Sequence, residues 1–123
     1  EHHLALYDEV DVALDTFPYN GTATTCEALW MGVPVITLAG QLHAGRVGAS
    51  LLHQLDLTDW IAESPEEYVS LVLSVAAQPP ERRILREWVA ASGLTDAAGF
   101  TGRFEDALRG LWRERCARAG DGQ

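Results

Sequence analysis

Lysine is absent from this chain of 123 residues, and nine arginines face eighteen acids for a formal net charge of −9. A chain so short of positive charge makes a poor general binder of nucleic acid or of anionic membrane surfaces. A local anion site stays open to it, because backbone dipoles and a single Arg act at close range. Apolar runs of membrane-spanning length are missing, and no signal peptide opens the sequence. Cysteine is scarce: Cys26 and Cys116 stand far apart without metal-ligand spacing, which points to a reduced, cytoplasmic protein. There is no GxSxG elbow, no cluster of metal ligands and no carboxylate pair placed for hydrolysis, and no catalytic base stands out. The sequence begins Glu1-His2-His3-Leu4 without an initiator Met, so we expect a C-terminal piece of something longer.

Nearly half of the residues are apolar (47%), and the length suffices for one globular core. The richest stretch runs from Val10 to Ile36. Val10 to Leu14 reads as a buried parallel strand, and Phe17 to Gly21 as a turn holding Pro18 and Asn20-Gly21. A helix near Thr24 to Met31 places Cys26, Leu29, Trp30 and Val33 on one core-facing stripe, and Gly32 ends it. Pro34 to Leu38 is the next strand. Two parallel strands joined by this helix put the connecting loop at their C-terminal edge, where open α/β sheets bind ligands.

A loop through Gly40 to His43 then leads into a helix carrying Val47, Leu51, Leu52 and Leu55. Trp60-Ile61-Ala62 suits a short edge strand. Ser64-Pro65-Glu66-Glu67 is a capping box with Pro in the first turn, and its helix buries Tyr68, Leu71, Val72 and Val75. Gln78-Pro79-Pro80 breaks it. A further helix has Ile84, Leu85 and Trp88 on one face and stops at Gly93. The last carries Phe100, Phe104, Leu108, Leu111 and Trp112 along one stripe, before a frayed tail from Ala119 to Gln123. Three strands at most, with five or six helices, fall short of a doubly wound sheet, a second sign that upstream strands are missing.

The start of the Thr24 helix is the candidate site. Thr22, Thr24 and Thr25 supply hydroxyls, and a helix start supplies unpaired N–H groups suited to a phosphate. The plainer alternative is that Thr24 caps the helix. Thr24-Thr25-Cys26-Glu27 fits a capping box, and spacing alone favours that role for Glu27 over a hold on ribose hydroxyls. His2 and His3 suit a base or phosphate contact, or are exposed histidines without a role. His43 and Arg46 flank the loop after the second strand; Arg46 suits a phosphate or one of the many acids. Cys26 reads as core, His53 as surface, and Phe17 and Tyr19 as the lining of a sugar pocket or a cover on the core edge.

Leu14-Asp15-Thr16-Phe17-Pro18-Tyr19-Asn20-Gly21, Glu27-Ala28-Leu29-Trp30-Met31-Gly32-Val33-Pro34-Val35 and Arg46-Val47-Gly48-Ala49-Ser50-Leu51-Leu52 carry a family likeness. The chain resembles the C-terminal catalytic region of the O-linked N-acetylglucosamine transferase and Spindly family (glycosyltransferase family 41), with its bacterial tetratricopeptide-type relatives, from about His3 to about Trp112. The resemblance implies an α/β fold. Residues 1–123 would form a partial Rossmann-like half, the C-terminal donor-binding half of a GT-B glycosyltransferase, with a parallel sheet and flanking helices.

It further implies that Thr22, Ala23 and Thr24, with Asn20 and Gly21 beside them, surround a pyrophosphate. Glu27 would hold the ribose and His3 would sit by the uridine. Ala23 stands where relatives usually carry Thr, and Leu6 where animal relatives carry Arg. The implied donor is UDP-N-acetylglucosamine or a related UDP-sugar, a substrate rather than a cofactor, with no metal. The implied acceptor is a protein, reached through an acceptor half that is not in this chain. In GT-B folds the final helix crosses to the other half, so its apolar stripe is expected to be partly exposed here. The alternatives are a non-catalytic UDP-sugar-binding or remnant module, and an Asn-directed UDP-glucose glucosyltransferase.

Overall fold

The computed structural model describes residues 2–120, without the side chain of His2. The expectations for the His2 ring and for the tail at 121–123 therefore lie outside the described residues.

The chain begins with helix α1 (His2–Ala5) and a 3-10 turn (Leu6–Glu9), which lead to strand β1 (Ala13–Leu14). Helix α2 (Ala23–Trp30) crosses to β2 (Val35–Leu38), and α3 (Val47–His53) crosses to β3 (Ile61–Ala62). The three strands lie parallel in the order β1-β2-β3. Ala13 is opposite Val35, and Thr37 is opposite Ile61. Helices α4 (Pro65–Ala77), α5 (Arg82–Ala91) and α6 (Ala97–Gly120) follow.

β1 is shorter than the run Val10–Leu14 suggests. The Val10 amide closes the preceding turn by donating to the Tyr7 carbonyl, so the ladder starts only where Ala13 N donates to Pro34 O. In β2, the neighbours Val35 and Ile36 point to opposite faces and both are buried, so the strand is covered on both sides. Val35 joins a core built from Ala28, Leu29, Val33, Leu52, Leu55, Leu57, Leu85 and Val89. Helix α4 packs on β2 and β3, and α5 packs on α2.

Two helical stripes are rotated from the sequence expectation. In α2, Thr25, Ala28 and Leu29 face inward, Cys26 is half-buried, and Trp30 is exposed with the Arg86 guanidinium 5.4 Å from its ring centroid. In α5, Leu85 and Val89 are buried while Ile84 and Trp88 are exposed. Each helix offers two neighbouring apolar rows with the same i, i+4 spacing, and only the packing of α5 on α2 selects between them. Helix α4 half-buries the expected Tyr68, Leu71, Val72 and Val75. The Ser64 half of its capping box forms, with Oγ accepting from Glu67 N at 3.1 Å, while the Glu67 carboxylate accepts from Glu63 N at 2.7 Å, one residue before the N-cap amide that a capping box uses. Along α6, Phe100, Phe104, Leu108, Leu111 and Trp112 are 50–70% exposed, so the expected apolar stripe is present and uncovered.

Candidate functional site

The site grows from the loop that leaves β1. Asp15, the first residue past the strand, continues the ladder through its amide, which donates to Ile36 O at 3.0 Å. Its carboxylate turns inward and is 5% exposed. Oδ1 accepts from Gly21 N at 2.8 Å, and Oδ2 accepts from Thr37 Oγ1 at 2.7 Å. A buried carboxylate survives only with such donors. The Asp15 carbonyl accepts from Tyr68 Oη at 2.9 Å, which ties the loop to α4. Burial, and then the Asp15 charge, push the Tyr68 phenol above its ordinary pKa, so it stays a donor. Gly48 in α3 lies so close to Asp15 Oδ2 and Thr37 Oγ1 that a Cβ there would collide with both.

Asn20 is 1% exposed. Its Nδ2 donates to Thr16 O at 2.9 Å, its Oδ1 accepts from Gly48 N at 3.3 Å, and its amide donates to Ala44 O at 2.8 Å. The loop after β1 is thereby fastened to the loop after β2 and to the start of α3. The polar groups of Asn20 are engaged inside the fold, so the structure makes this residue a pin of the loop and not a surface that touches a ligand.

With the loop so held, α2 starts at the C-terminal edge of the sheet. Its N-cap is Thr22, and no side chain caps it. The alternative in which Thr24 caps the helix is not realised, because Thr24 already lies inside the first turn. Thr22 itself has φ −120° and ψ −72°, away from the extended backbone that lets an N-cap hydroxyl reach back. The first amides of the helix, on Ala23, Thr24 and Thr25, are those that a helix leaves without internal partners.

The capping box at Glu27 does not form either. The Glu27 carboxylate instead meets His3 Nε2 at 3.2 Å, across 24 residues of sequence. Tyr7 completes the arrangement. Its ring meets His3 edge-on with centroids 5.8 Å apart, and its hydroxyl donates to Thr24 O at 3.3 Å. Burial, followed by the Glu27 charge, raises the Tyr7 phenol above its ordinary pKa. The same two causes raise the thiol of Cys26, which fits the reading that it is no nucleophile.

The sequence-predicted residues fall into three places. Gly21 and Thr24 line a cleft of about 120 Å³ with Tyr7, Asp15, Thr16 and Thr25, while Thr22 and Ala23 are exposed at the helix start beside it. His3 and Glu27 line a second depression of about 540 Å³ with Trp30, Val89 and Leu94. Thr24 and Glu27 are i, i+3 neighbours on α2, so the helix face links the two. The first cleft is smaller than the ~300 Å³ at which ligand pockets begin, so by itself it encloses only part of a ligand of ordinary size. His43 and Arg46 line neither. Both are exposed, and Arg46 donates to Gly40 O at 3.0 Å and so braces its own loop. Phe17 packs edge-on against Tyr68 as a cover on the core edge, while Tyr19 is exposed.

Sequence reasoning gave Asp15, Thr37 and Gly48 no part in the site and read Tyr68 only as core, yet these four hold the loop. The available signals were an acid ending the apolar run Val12-Ala13-Leu14 and a Thr inside the buried strand. Among the described residues no three His, Cys, Asp or Glu side chains gather as metal ligands. No helix among them is long and apolar enough to cross a membrane.

Residues 1–101 match the family described as glycosyl transferase family 41. Over 118 residues the chain is 47% identical to the probable UDP-N-acetylglucosamine--peptide N-acetylglucosaminyltransferase SPINDLY of Oryza sativa subsp. japonica. That match covers 93% of this chain and 13% of the rice protein. The UDP-N-acetylglucosamine--peptide N-acetylglucosaminyltransferase of Caenorhabditis elegans is 31% identical over 117 residues, or 92% of this chain and 10% of that protein. Among solved structures, a mutant O-GlcNAc transferase of Thermobaculum terrenum superposes with a TM-score of 0.84 at 42% identity. It covers 94% of this chain, which in turn covers 23% of it. The chain thus spans about an eighth of the length of the rice relative (13%).

Proposed function

This chain belongs to glycosyl transferase family 41, and from that premise we propose that it forms the donor-binding segment of a UDP-N-acetylglucosamine-dependent protein glycosyltransferase. The observation that carries the reading is the start of α2, which has no side-chain cap and opens at the C-terminal edge of a parallel sheet. In the reaction we propose, a Ser or Thr hydroxyl of the acceptor protein attacks C1 of the sugar from the face opposite the diphosphate, its proton passing to a base on the acceptor side. The bond from C1 to the diphosphate oxygen breaks, its electron pair leaves with UDP, and the anomeric configuration inverts. Negative charge gathers on the diphosphate as the bond breaks.

The amides of Ala23, Thr24 and Thr25, with the hydroxyls of Thr22 and Thr24, are the groups we assign to that charge. The helix dipole adds about 0.3–1 kcal/mol. Ala23 lacks a hydroxyl but keeps its amide, so it serves through the backbone. Glu27 accepts from the ribose hydroxyls and His3 lies beside the base. Gly21 and Asn20 set the loop. We assign no donor contact to His43 or Arg46.

The proposal uses no metal, since amides and hydroxyls take the charge of the leaving group. The acceptor side belongs to regions outside this chain, and a bacterial parent with tetratricopeptide repeats is part of the proposal. Both cysteines are unpaired, which supports a cytoplasmic setting.

Calorimetric titration with UDP tests the reading on the wild-type protein and on Glu27→Ala. We expect UDP to bind and Glu27→Ala to weaken it about tenfold, the size of a charge-assisted hydrogen bond, with the melting temperature unchanged. Absence of UDP binding, or a lowered melting temperature with affinity intact, overturns it.

A further inference from the structure

We infer that Arg82, at the start of α5, is a positioning residue for the nucleoside end of the donor site, acting through the N-terminal strap of residues 3–10. The inference rests on the donor-site reading above. The strap is tied to α2 by the Tyr7 hydroxyl, which donates to Thr24 O at 3.3 Å. Leu4 and Leu6 are exposed, and of its larger apolar side chains Tyr7 and Val10 are the ones that pack against the core. Its carbonyls, however, converge on one guanidinium. Arg82 Nη1 donates to Tyr7 O at 2.8 Å, and Nη2 donates to Val10 O at 2.6 Å and reaches Asp8 O at 3.5 Å. These partners are 72–75 residues away in sequence. The end of a short helical turn leaves carbonyl lone pairs free (the Tyr7 carbonyl accepts from Val10 N and has a second one to offer), and the planar fork of an arginine suits several of them at once.

Arg82 is itself fixed relative to α2. Gly32, just past the end of α2, has φ +77°, and a Cβ there would strike the Arg82 carbonyl. The turn that ends α2 is therefore a seat for the first residue of α5. A ring of contacts closes from there. It runs from α2 through Gly32 to Arg82, from Arg82 to the carbonyls of the strap, along the strap to His3, and from His3 back to Glu27 on α2. This ring, together with the bond from Tyr7 to Thr24, holds His3 against Glu27, the two side chains assigned to base and ribose. Arg82 lines neither the cleft at the start of α2 nor the depression that holds His3 and Glu27, so its effect on a nucleotide passes through the strap.

The experiment is calorimetric titration of UDP against the full-length protein as wild type, Arg82→Met, Arg82→Lys, His3→Ala, and His3→Ala combined with each Arg82 substitution. We expect Arg82→Met to weaken UDP about as much as His3→Ala does, about five- to tenfold. The combined variant is expected to be no weaker than His3→Ala alone, because both changes remove the same contact. Arg82→Lys keeps a cation among the carbonyls but not the fork and is expected to fall between wild type and Arg82→Met, a partial rescue that a loss of helix packing alone would not explain. If Arg82→Met does not fold, Arg82→Lys carries the same comparison, weakening UDP with His3 present and not with His3→Ala. Full additivity of the two changes overturns the inference. So does weakened binding in His3→Ala with wild-type affinity in both Arg82 variants, which leaves the donor-site reading standing. No binding by the wild-type protein sinks the donor-site reading and this inference with it.

Discussion

Replacing Asp15 by Asn leaves the shape of the side chain nearly unchanged and removes its charge. In the wild type the carboxylate accepts from the Gly21 amide and from the Thr37 hydroxyl, at 2.8 and 2.7 Å. A hydrogen bond to a charged acceptor contributes about 1.5–3 kcal/mol and a neutral one about 0.5–1.5. Asn still accepts from Gly21 through its one oxygen, and Thr37 must turn its hydroxyl to accept from the amide group. The net loss is about 1–2 kcal/mol. It falls on the loop, so local opening is the quantity to measure. Hydrogen exchange followed by mass spectrometry on peptides covering 15–25 reads it directly. The Gly21 amide is expected to exchange about five to thirty times faster. Asp15→Ala strands both donors, and the larger cost of about 2–6 kcal/mol should open the segment further. UDP affinity should fall in the same order, because this loop sets the start of α2. Unchanged exchange at Gly21 in both variants would refute the reasoning, since it would mean that the carboxylate does not hold the loop.

Two glycines give opposite signs. Gly48→Ala drives a Cβ into Asp15 Oδ2 and Thr37 Oγ1 and should destabilise the fold by an overpacking cost of about 1–3 kcal/mol, read as a lower urea midpoint. Gly102→Ala in α6 meets nothing within 4 Å and should gain up to about 1 kcal/mol of helix propensity, so shifts of the same sign would refute the contact picture. The Tyr68 phenol is raised in the folded state by burial and by Asp15. Its contribution to stability is therefore full below the ordinary phenol pKa of about 10 and is lost as pH rises through the folded-state value. Tyr68→Phe should start about 1 kcal/mol less stable, having lost the bond to the Asp15 carbonyl, and should decline less steeply above about pH 10. Equal alkaline slopes would count against the assignment.

The succession of strand, helix and strand was legible from local signals, because runs such as Val35–Leu38 and breakers such as Gly32 and Pro79-Pro80 act on their nearest neighbours. These signals also located the α4 cap, where Ser64 Oγ accepts from the amide of Glu67 three residues on. The same spacing at Thr24 and Glu27 misled, because a capping box is only one use for a carboxylate at that position. His3, 24 residues earlier, claims Glu27 in the fold. Rows of equal period in α2 and α5 could not be told apart until the helices met.

By itself, then, the sequence determined the α/β order of elements and the position of an exposed helix start, features governed by periodicity, turn chemistry and backbone geometry over a few residues. Only the tertiary structure decided that Asp15 and Asn20 are internal pins and that Arg46 turns to its own loop. It alone closes a strap on Arg82. Hydrogen bonds between groups tens of residues apart leave no periodic trace in a sequence, and burial, which makes them obligatory, exists only once the chain has packed.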